Sequence, residues 1–517
     1  MSRIKRALIS VWNKKNLVPF AKTLVECGIE IISTGGTARA LREAGLPVID
    51  VTQVTGFPEI LDGRVKTLHP LVHAALLFVR DNPSHIQIVR DLNITPIDLV
   101  VVNLYPFEQT VAAPGITMAE ALENIDIGGP SMVRSAAKNY PWVTVVTDPE
   151  DYDKVALQIK TTGTTSLEMR RELAAKAFAL TSKYDAAIAS YLSKIATPKA
   201  QDTLPQILCL SIPMSQKLRY GENPHQEGGL YGDFYKHFEQ LHGKELSYNN
   251  VLDISAAIAL ISEFINDLPT IAILKHTNPC GVGQANTLAE AWEKAFATDR
   301  QAPFGGIIVA NKPMDHDCAK AISEIFTEVV IAPGFVETAL EILKGKKNLR
   351  IITFNPHVPV LAPFEVRSVG FDSYLVQTPD RTPEDPAQWR VVTRRPPTES
   401  EKRAMLFGWR IVKHVKSNAI VFATEDRTIG VGAGQMSRID ACKLAIWKAQ
   451  QAGLSLQNSV VCSDAFFPFP DGILTAAEVG ATAVIQPGGS VRDNEVIATA
   501  DTHNMAMVFT GTRHFKH

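Results

Sequence analysis

Short apolar runs alternate with amphipathic segments over residues 6–52, and this alternation constrains the fold more than any other feature of the chain. Residues 7–11, 29–32 and 48–51 have the length and apolar character of buried strands. Residues 16–27 carry apolar side chains at helical spacing, and a shorter helical segment separates the second and third runs. Strands that alternate with helices predict a parallel sheet with helices on its faces.

A Gly-rich loop, Ser33-Thr34-Gly35-Gly36-Thr37, lies between the second predicted strand and the helix that follows it. The glycines permit close approach to the backbone, the hydroxyl groups can donate hydrogen bonds, and a helix N-terminus favours an anion. The loop therefore fits a phosphate site. A Gly-rich turn with a threonine cap fits the same residues.

Three later stretches of this half place polar side chains beside turns or at strand ends. Residues 61–70 combine turn formers and cations without an amphipathic period, which fits a functional loop or a solvated basic loop. An apolar strand ends at Asn103 and Tyr105. Asp126 precedes a helix that runs to Lys138, so the two also fit an N-cap and a C-terminal cation about 12 Å apart.

The boundary between two domains is predicted after a long helix. Residues 167–192 repeat apolar side chains every three to four positions, which is typical of a helix packed on a core. Residues 195–205 have the composition of a linker. We therefore predict domains over residues 1–197 and 198–517.

The second half contains a lysine and a histidine, Lys275 and His276, directly after an apolar run that fits a buried strand. Asn-Pro and Gly-Val-Gly follow and predict a loop. Ligands of open α/β sheets bind where strands end, and a cation beside a histidine can hold a negative charge and move a proton. A surface pair that caps a strand fits equally well.

A zinc site in this stretch is not expected. Pro279-Cys280 matches half of a deaminase zinc motif, but position 283 is Gly where Cys is needed and position 278 is Asn where Glu is needed. The other cysteines stand alone and form no ligand spacing. A deaminase-like fold without metal remains open.

A weak internal repeat suggests a duplicated α/β unit. In one copy a strand is followed by Gly281-Val282-Gly283 and a helix, and in the other a strand over 418–422 is followed by a Gly-rich stretch over 430–435 and a helix. Residues 463–471 then place three phenylalanines in a Pro-containing loop. These rings fit a platform for a flat ligand or a hydrophobic plug under the loop.

Bulk composition excludes several classes of protein. The chain has 517 residues, 45% hydrophobic and 21% charged, which fits a globular protein of roughly two to four domains. Its formal net charge of −2 gives no basic field for nucleic acid or an anionic membrane. Its six scattered cysteines suit a reducing compartment, and no apolar stretch has the length of a signal-peptide core or a membrane span, so we expect a cytoplasmic protein.

Long motifs in a fixed order carry a resemblance to a known family. They are Ser-Thr-Gly-Gly-Thr (33–37), Asp-Gly-Arg-Val-Lys-Thr-Leu-His-Pro (62–70), Asn-Leu-Tyr-Pro-Phe (103–107), Ile-Asp-Ile-Gly-Gly-Pro (125–130), Leu-Arg-Tyr-Gly-Glu-Asn-Pro-His-Gln (218–226), Lys-His-Thr-Asn-Pro-Cys-Gly (275–281), Gly-Ala-Gly-Gln (432–435) and Ser-Asp-Ala-Phe-Phe-Pro-Phe (463–469). Over essentially its whole length the chain resembles the bifunctional purine-biosynthesis family that joins an AICAR formyltransferase to an IMP cyclohydrolase.

The resemblance implies a fold and partners. The N-terminal domain would be methylglyoxal-synthase-like and act as the cyclohydrolase. The C-terminal half would be a duplicated cytidine-deaminase-like α/β region without zinc and act as the formyltransferase. The ligands would be AICAR, formyl-AICAR and 10-formyltetrahydrofolate as a co-substrate. The protein would be a homodimer with formyltransferase sites at the interface.

The resemblance also implies site residues. The cyclohydrolase would use Lys66, Tyr105, Asp126 and Lys138 in catalysis, and the formyltransferase Lys275, His276 and Asn418. The cyclohydrolase would bind its nucleotide through Ser10, Lys14, Thr34, Gly35, Gly36, Thr37, Arg64, Thr67, Asn103 and Gly128. The formyltransferase would bind its substrates through Arg219, Tyr220, Asn250, Phe304, Gly305, Phe466, Pro468, Phe469, Asp471, Arg513 and His517.

Three departures from the family pattern bear on ligands. Trp12 stands beside the expected phosphate site where the family has Ser or Thr. Residues 300–303 and Pro470 differ on the expected folate side. Two other functions compete with the family assignment: an effector-sensing module built on the phosphate loop, and a zinc deaminase.

Overall fold

The structure, a computed structural model, describes residues 3–196, 204–357, 362 and 364–517. The chain forms two compact units, residues 1–212 and residues 213–517, called here unit 1 and unit 2. The predicted boundary between residues 197 and 198 lies outside the described residues.

Unit 1 contains a five-stranded parallel sheet in the order β3-β2-β1-β4-β5. Its strands are β1 (Arg6–Val11), β2 (Glu30–Ser33), β3 (Ile49–Asp50), β4 (Leu99–Asn103) and β5 (Thr144–Val146). The third strand is shorter than predicted, because Asp50 caps a helix that starts at Val51 and accepts a hydrogen bond from Thr52 N–H at 3.1 Å. The parallel sheet predicted from the alternation is confirmed.

Ten helices surround this sheet within the described part of unit 1. They are α1 (Leu17–Glu26), α2 (Gly35–Glu43), α3 (Val51–Thr55), α4 (Pro70–Leu77), α5 (Pro83–Asp91), α6 (Phe107–Val111), α7 (Met118–Glu123), α8 (Gly128–Lys138), α9 (Tyr152–Thr162) and α10 (Leu167–Ala196). The apolar stripe of α10 packs on the core, where Leu173, Ala177 and Tyr184 are buried. The stripe therefore packs as predicted.

Unit 2 contains two six-stranded mixed sheets, called here sheet I and sheet II. Its strands are β6 (Met214–Leu218), β7 (Gly228–Tyr231), β8 (Phe238–His242), β9 (Thr270–Lys275), β10 (Asn278–Gln284), β11 (Gly306–Ala310), β12 (Thr327–Ala332), β13 (Arg350–Phe354), β14 (Glu365–Gly370), β15 (Ser373–Gln377), β16 (Arg390–Val391), β17 (Ile420–Ala423), β18 (Thr428–Gly432), β19 (Val460–Ser463), β20 (Ala483–Gln486) and β21 (Ala506–Phe509). The helices are α11 (Phe234–His237), α12 (Tyr248–Ser262), α13 (Leu288–Thr298), α14 (His316–Ser323), α15 (Glu337–Lys344), α16 (Glu399–Val412), α17 (Arg438–Gln451), α18 (Asp471–Glu478) and α19 (Asp493–Thr502).

The two sheets share one topology. Sheet I has the order β10-β9-β11-β12-β13-β8, and sheet II has the order β18-β17-β19-β20-β21-β16. In both, the first two strand pairs are antiparallel, the next two are parallel and the last is antiparallel. Unit 2 is therefore the duplicated α/β unit that the weak repeat indicated.

The loop predicted over Gly281-Val282-Gly283 is wrong, because this stretch lies in the edge strand β10. In the other Gly-rich stretch, residues 430–432 lie in the edge strand β18. The glycines fit a strand here since a helix lies directly against it. A Cβ on Gly283 would come within 2.4 Å of Ala291 O, and one on Gly432 within 1.9 Å of Ala441 O. Pro279 is accommodated at a bulge of an edge strand, where proline is tolerated.

Candidate active sites

A cleft of about 680 Å³ opens beside the carboxyl ends of β1, β2 and β4 in unit 1. This edge is where open α/β sheets bind ligands. All residues predicted for the cyclohydrolase except Lys138 line the cleft: Ser10, Lys14, Thr34, Gly35, Gly36, Thr37, Arg64, Lys66, Thr67, Asn103, Tyr105, Asp126 and Gly128. The structure therefore brings together residues that are up to 118 positions apart in the chain (Ser10 to Gly128).

The Gly-rich loop forms the N-terminus of α2, with Thr34 as the N-cap residue. The Thr37 hydroxyl both donates to Val11 O and accepts from Val11 N–H at 3.0 Å, so it ties α2 to β1. The Thr34 hydroxyl lies 3.4 Å from Ser10 Oγ. The free backbone N–H groups in the first turn of α2 form the positive end of the helix dipole, which suits a phosphate.

Asn103 supports one wall of the cleft through backbone contacts. Its Oδ1 accepts from Trp12 N–H at 2.7 Å and from Asn13 N–H at 2.9 Å, and its Nδ2 donates to Asn13 O at 3.0 Å. These bonds hold the segment that carries Trp12, whose side chain is 49% exposed at the cleft. Asn103, predicted as a nucleotide contact, thus has a scaffolding role in the structure.

The two cations of the 61–70 loop each face a carboxylate. Lys66 Nζ lies 3.4 Å from Glu59 Oε1, and Arg64 forms an ion pair with Glu123. Lys66 Nζ also lies 3.8 Å from the position that a Cβ on Gly35 would occupy. The Lys66 ammonium group is therefore close to the phosphate loop.

Asp126 lies two residues before α8, whose N-cap residue is Ile127, and its side chain contacts the first turn of that helix. Its Oδ1 accepts from Gly129 N–H at 2.9 Å, and its own N–H donates to the Tyr184 hydroxyl at 2.7 Å. Burial raises the pKa of the Asp126 carboxyl, while the N–H groups of Gly128 and Gly129 and the charge of Lys66 lower it in part. Lys138 lies exposed at the other end of the same helix, outside the cleft lining.

In unit 2, Lys275 and His276 lie at the turn between β9 and β10. His276 and Thr277 have left-handed backbone conformations, with φ of 51° and 64°. Thr277 N–H donates to Asp253 Oδ1 at 2.6 Å, and burial raises the pKa of that carboxyl. The His276 side chain is exposed. The backbone of the turn is thus held by the Asp253 carboxylate of α12.

Lys275 contacts another predicted site segment. Its Nζ donates to Phe304 O at 2.8 Å. Gly305 follows with φ of 73° and donates its N–H to Phe326 O at 2.8 Å. The ring of Phe304 is 64% exposed, so this segment offers an aromatic face beside the lysine.

Asn418 lies in the loop that precedes β17. Its Nδ2 donates to Gln435 O at 3.0 Å and to Met436 O at 3.2 Å, and its Oδ1 accepts from Arg438 Nη2 at 2.8 Å. The same loop reaches the β9–β10 turn through Lys416 N–H, which donates to Asn278 Oδ1 at 2.9 Å. Asn418 and the Lys275–His276 pair therefore belong to directly connected segments.

The aromatic loop divides its three rings between two roles. Phe467 is 1% exposed and packs in the core, whereas Phe466 and Phe469 are 37% and 48% exposed. Arg492 lies over the ring of Phe469 at 4.9 Å. The plug interpretation is therefore confirmed for Phe467, whereas a platform for a flat ligand at Phe466 and Phe469 stays a prediction.

Other predicted residues are placed in local contacts. Asn250 Oδ1 accepts from Ser247 N–H and Oγ and caps α12. Arg219 lies 4.7 Å from the Tyr220 ring, and Arg513 lies 4.4 Å from a neighbouring Phe ring. Pro468 lies in the aromatic loop, and Asp471 is the first residue of α18. The backbone oxygen of His517 accepts from Lys416 Nζ at 2.7 Å and from Arg367 Nη2 at 2.6 Å. Among the described residues, none of this group forms a hydrogen bond with Lys275 or His276.

Two family models match the chain. The AICARFT/IMPCHase bienzyme family matches residues 136–448, and the MGS-like domain family matches residues 16–131. A bifunctional purine biosynthesis protein PurH from Chloroflexus aurantiacus is 57% identical over 516 residues, which cover 100% of this chain and 99% of that protein. The protein of the same name from Chlorobaculum parvum is 54% identical and covers 99% of both chains.

The chain belongs to the AICARFT/IMPCHase bienzyme family.

Family membership makes the chain a bifunctional purine-biosynthesis enzyme with formyltransferase and cyclohydrolase activities, which catalyse the last two steps of the pathway. The MGS-like match falls in unit 1, in agreement with the predicted fold class. A solved structure, "Crystal structure of ForH", is 36% identical with a TM-score of 0.34 and covers 36% of this chain and 96% of that one.

Several residues that contact the predicted site segments were not themselves predicted from the sequence. Glu59 and Glu123 face the cations of the cleft, and Asp253 holds the β9–β10 turn. Arg438 contacts the Asn418 side chain, and Asp464 contacts the neighbouring residue Ala419. Asp253 had a detectable signal, since it is a carboxylate within the apolar run Val-Leu-Asp-Ile of a helix. The others become neighbours only through the fold.

Two further observations concern metals and membranes. Within the described ranges, no group of three or more His, Cys, Asp or Glu side chains is arranged to hold a metal ion. None of the helices in that same part of the chain is both long enough and apolar enough to cross a bilayer.

Proposed function

We propose that unit 2 transfers the formyl group of 10-formyltetrahydrofolate to the 5-amine of AICAR and that unit 1 closes formyl-AICAR to IMP. The observation that carries the assignment of unit 1 is its cleft, which gathers all but one of the residues that the family resemblance assigns to the cyclohydrolase. The assignment of unit 2 is supported by the connected segments of Lys275, His276 and Asn418.

Ring closure begins with the nucleotide phosphate at the N-terminus of α2, where backbone N–H groups favour an anion. The carboxamide nitrogen attacks the formamide carbon, and the resulting oxyanion is held by Lys66. The oxygen then leaves as water, with protons relayed by Tyr105 and Asp126. The raised pKa of Asp126 suits such a relay, because its carboxyl gains a proton more readily than an exposed one.

Lys138 has a different position in this proposal. Its exposed place at the C-terminal end of α8 lies outside the cleft of its own chain. A role for Lys138 in ring closure then requires that a second copy of the chain, or a change in the protein on nucleotide binding, brings the ammonium to a bound nucleotide.

Formyl transfer begins with attack of the AICAR amine on the formyl carbon. His276 accepts the amine proton as the new C–N bond forms, because its exposed ring stands at the turn and an imidazole nitrogen can act as a general base. Lys275 holds the tetrahedral oxyanion. The bond to the folate nitrogen then breaks, that nitrogen takes a proton, and tetrahydrofolate leaves. No zinc is required for these steps.

We also propose a homodimer in the cytoplasm, with formyltransferase sites completed across the interface. Arg219 and Arg513 support this arrangement, because both are exposed and each lies against an adjacent aromatic ring of its own segment. Two exposed guanidinium groups are suited to the phosphate of a nucleotide bound by the partner subunit.

The test is an assay of the purified protein with AICAR and 10-formyltetrahydrofolate that follows tetrahydrofolate and IMP together. His276→Ala is expected to remove formyl transfer and keep closure of supplied formyl-AICAR, whereas Lys66→Ala is expected to do the reverse. Loss of one oxyanion stabiliser typically raises the barrier by about 3–4 kcal/mol. Lys320→Ala, on the exposed side of α14, is the control and should keep both activities. Loss of both activities in either site variant would contradict the assignment of one reaction to each unit.

A further inference from the structure

A buried carboxylate, Asp464, stands directly behind Asn418. Its side chain is 0% exposed, and it forms an ion pair with Arg438, whose side chain is 5% exposed. Asp464 also accepts from the Ser417 hydroxyl and, at 3.2 Å, from Ala419 N–H. The carboxylate therefore contacts both neighbours of Asn418 in the chain and the guanidinium group that holds the Asn418 amide.

Sheet I contains a natural comparison for this arrangement. Asp464 follows β19, and Asn311 follows β11, the matching strand of sheet I. Asn311 Oδ1 accepts from Thr270 N–H at 2.8 Å, and its own N–H donates to Thr270 O at 3.2 Å. Asp464 makes the same pair of contacts with Ala419. The two side chains thus perform the same backbone clamp at equivalent positions.

The two copies differ in what else the clamp contacts. In sheet I, Asn311 Nδ2 donates only to backbone carbonyls, those of Phe264 and Leu268. In sheet II, the carboxylate instead receives Arg438, the first residue of α17. The first residue of the matching helix α13 is Leu288, which is buried in an apolar cluster. Sheet I therefore forms the same clamp without a charge pair at this position, and the buried pair stands in the copy that carries Asn418.

The pair has a direct effect on the Asn418 amide. An arginine only donates, so Arg438 fixes Oδ1 on its own side, and two backbone carbonyls fix Nδ2 on the other. A flipped amide would place Oδ1 against two carbonyl oxygens. Because Arg438 pairs with Asp464 and also donates to Asn418, the position of the Asn418 side chain depends on the carboxylate.

We propose that Asp464 is a positioning residue of the formyl-transfer site, which acts through Arg438 to fix the position and orientation of the Asn418 side chain. The inference rests on the proposed role of Asn418 in that site. It predicts that the charge of Asp464 matters for turnover, while the clamp alone, as Asn311 shows, can be formed by an amide.

The experiment is a double-mutant cycle with Asp464→Asn and Asn418→Ala in the full-length protein. Asp464→Asn keeps the shape of the clamp and removes its charge. The kcat of formyl transfer is expected to fall about 100-fold, the effect of a displacement of roughly 1 Å at a reacting group. In the Asn418→Ala background, Asp464→Asn should change kcat less than threefold, because the residue through which it acts is gone. Cyclohydrolase kcat should stay within twofold of the wild type.

Asn311→Ala is the matched control, because it removes the equivalent clamp from sheet I. It is expected to lower the melting temperature of unit 2 with formyl-transfer kcat within threefold of the wild type. Asp464→Asn leaves the Arg438 charge unpaired, and unit 2 could then fail to fold. In that case the double variant Arg438→Leu/Asp464→Asn removes both charges and reproduces the neutral arrangement of sheet I. This variant should fold and should have a formyl-transfer kcat no higher than that of Asn418→Ala. Near-UV circular dichroism reports the fold.

Two results would overturn the proposal. One is a loss of kcat in the double variant that equals the product of the losses in Asp464→Asn and Asn418→Ala. The other is a loss of kcat in Asp464→Asn that is no greater than the loss in Asn311→Ala. Full activity of Asn418→Ala would also overturn it, while formyl transfer itself would stand. Failure of the proposed function can be told apart from failure of this inference, because in the first case the wild-type protein would release no tetrahydrofolate.

Discussion

The backbone N–H of Lys416 donates to Asn278 Oδ1 at 2.9 Å, and this bond ties the loop of Asn418 to the turn of Lys275 and His276. Asn278 Nδ2 also donates to His276 O at 3.2 Å.

Asn278→Ala removes both bonds and frees a turn with two left-handed residues. We expect a fall of about tenfold or more in formyl-transfer kcat, with ring closure unchanged. A steady-state assay of each reaction decides this, and an unaltered kcat would show that the two segments hold their positions independently.

Phe467 and Phe469 make a matched pair in the aromatic loop. Phe467 is buried, so Phe467→Ala should lower the free energy of unfolding of unit 2 by about 3–5 kcal/mol. Phe469 is 48% exposed, so Phe469→Ala should cost little stability and raise KM for 10-formyltetrahydrofolate if the ring contacts folate. Denaturant unfolding and the folate dependence of the rate separate the two effects. Equal loss of stability in both variants would disprove the division of roles.

Glycines of the edge strands β10 and β18 should be irreplaceable. A Cβ at Gly283 or Gly432 would enter the backbone of α13 or α17, so either substitution by Ala must displace a helix. We expect a loss of at least about 2 kcal/mol, comparable to overpacked core sites. Gly334→Ala is the control, because its nearest heavy atom would lie 3.9 Å away. Thermal unfolding measures all three, and equal melting temperatures would refute the close packing.

The stability of unit 2 should fall in mild alkali because of His514. Burial lowers the pKa of its buried ring, but hydrogen bonds and charges from Asp380 and Glu384 outweigh burial and raise the pKa from 6.5 to about 9. The protonated ring is favoured in the folded state, so this stabilisation is complete below pH 6.5 and is lost as the pH rises through 9. A rise of this size corresponds to stabilisation on the order of 3 kcal/mol.

The measurement compares the wild type with His514→Gln in denaturant unfolding from pH 6 to 10. Fluorescence is suitable because the Trp409 ring lies 5.0 Å from the His514 ring. The difference in unfolding free energy between the two proteins should shrink across this range. A constant difference would mean that His514 does not change its protonation there.

Much of unit 1 could be predicted because local patterns agree with the fold. Buried strands, amphipathic helices and a Gly-rich turn each have a short-range signal, and parallel topology places their ends at one edge. β10 and β18 could not be predicted in the same way. A Gly-Val-Gly stretch has the signature of a turn, and only the close approach of α13 or α17 makes glycine the required residue of a strand.

The residues of the candidate sites also differ in whether a local sequence signal could identify them. Residues such as Lys66 and His276 stand in polar segments beside strand ends, which sequence alone can single out. Asp464 stands 46 positions after Asn418 and looks like an ordinary residue at the end of a strand. Its significance comes from a buried ion pair that forms only when β17, β19 and α17 are packed together.

The two sheets of unit 2 meet along their β10 and β18 edges. Gly283 and Arg427 form a β-bridge there, Gln284 N–H donates to Asp426 O at 2.8 Å, and one apolar cluster contains residues of both copies. Neither copy is therefore self-sufficient: a fragment that carried only one would present a bare strand edge and half of a core to solvent. Such a fragment should aggregate, and the duplicated halves should melt together in a single cooperative step.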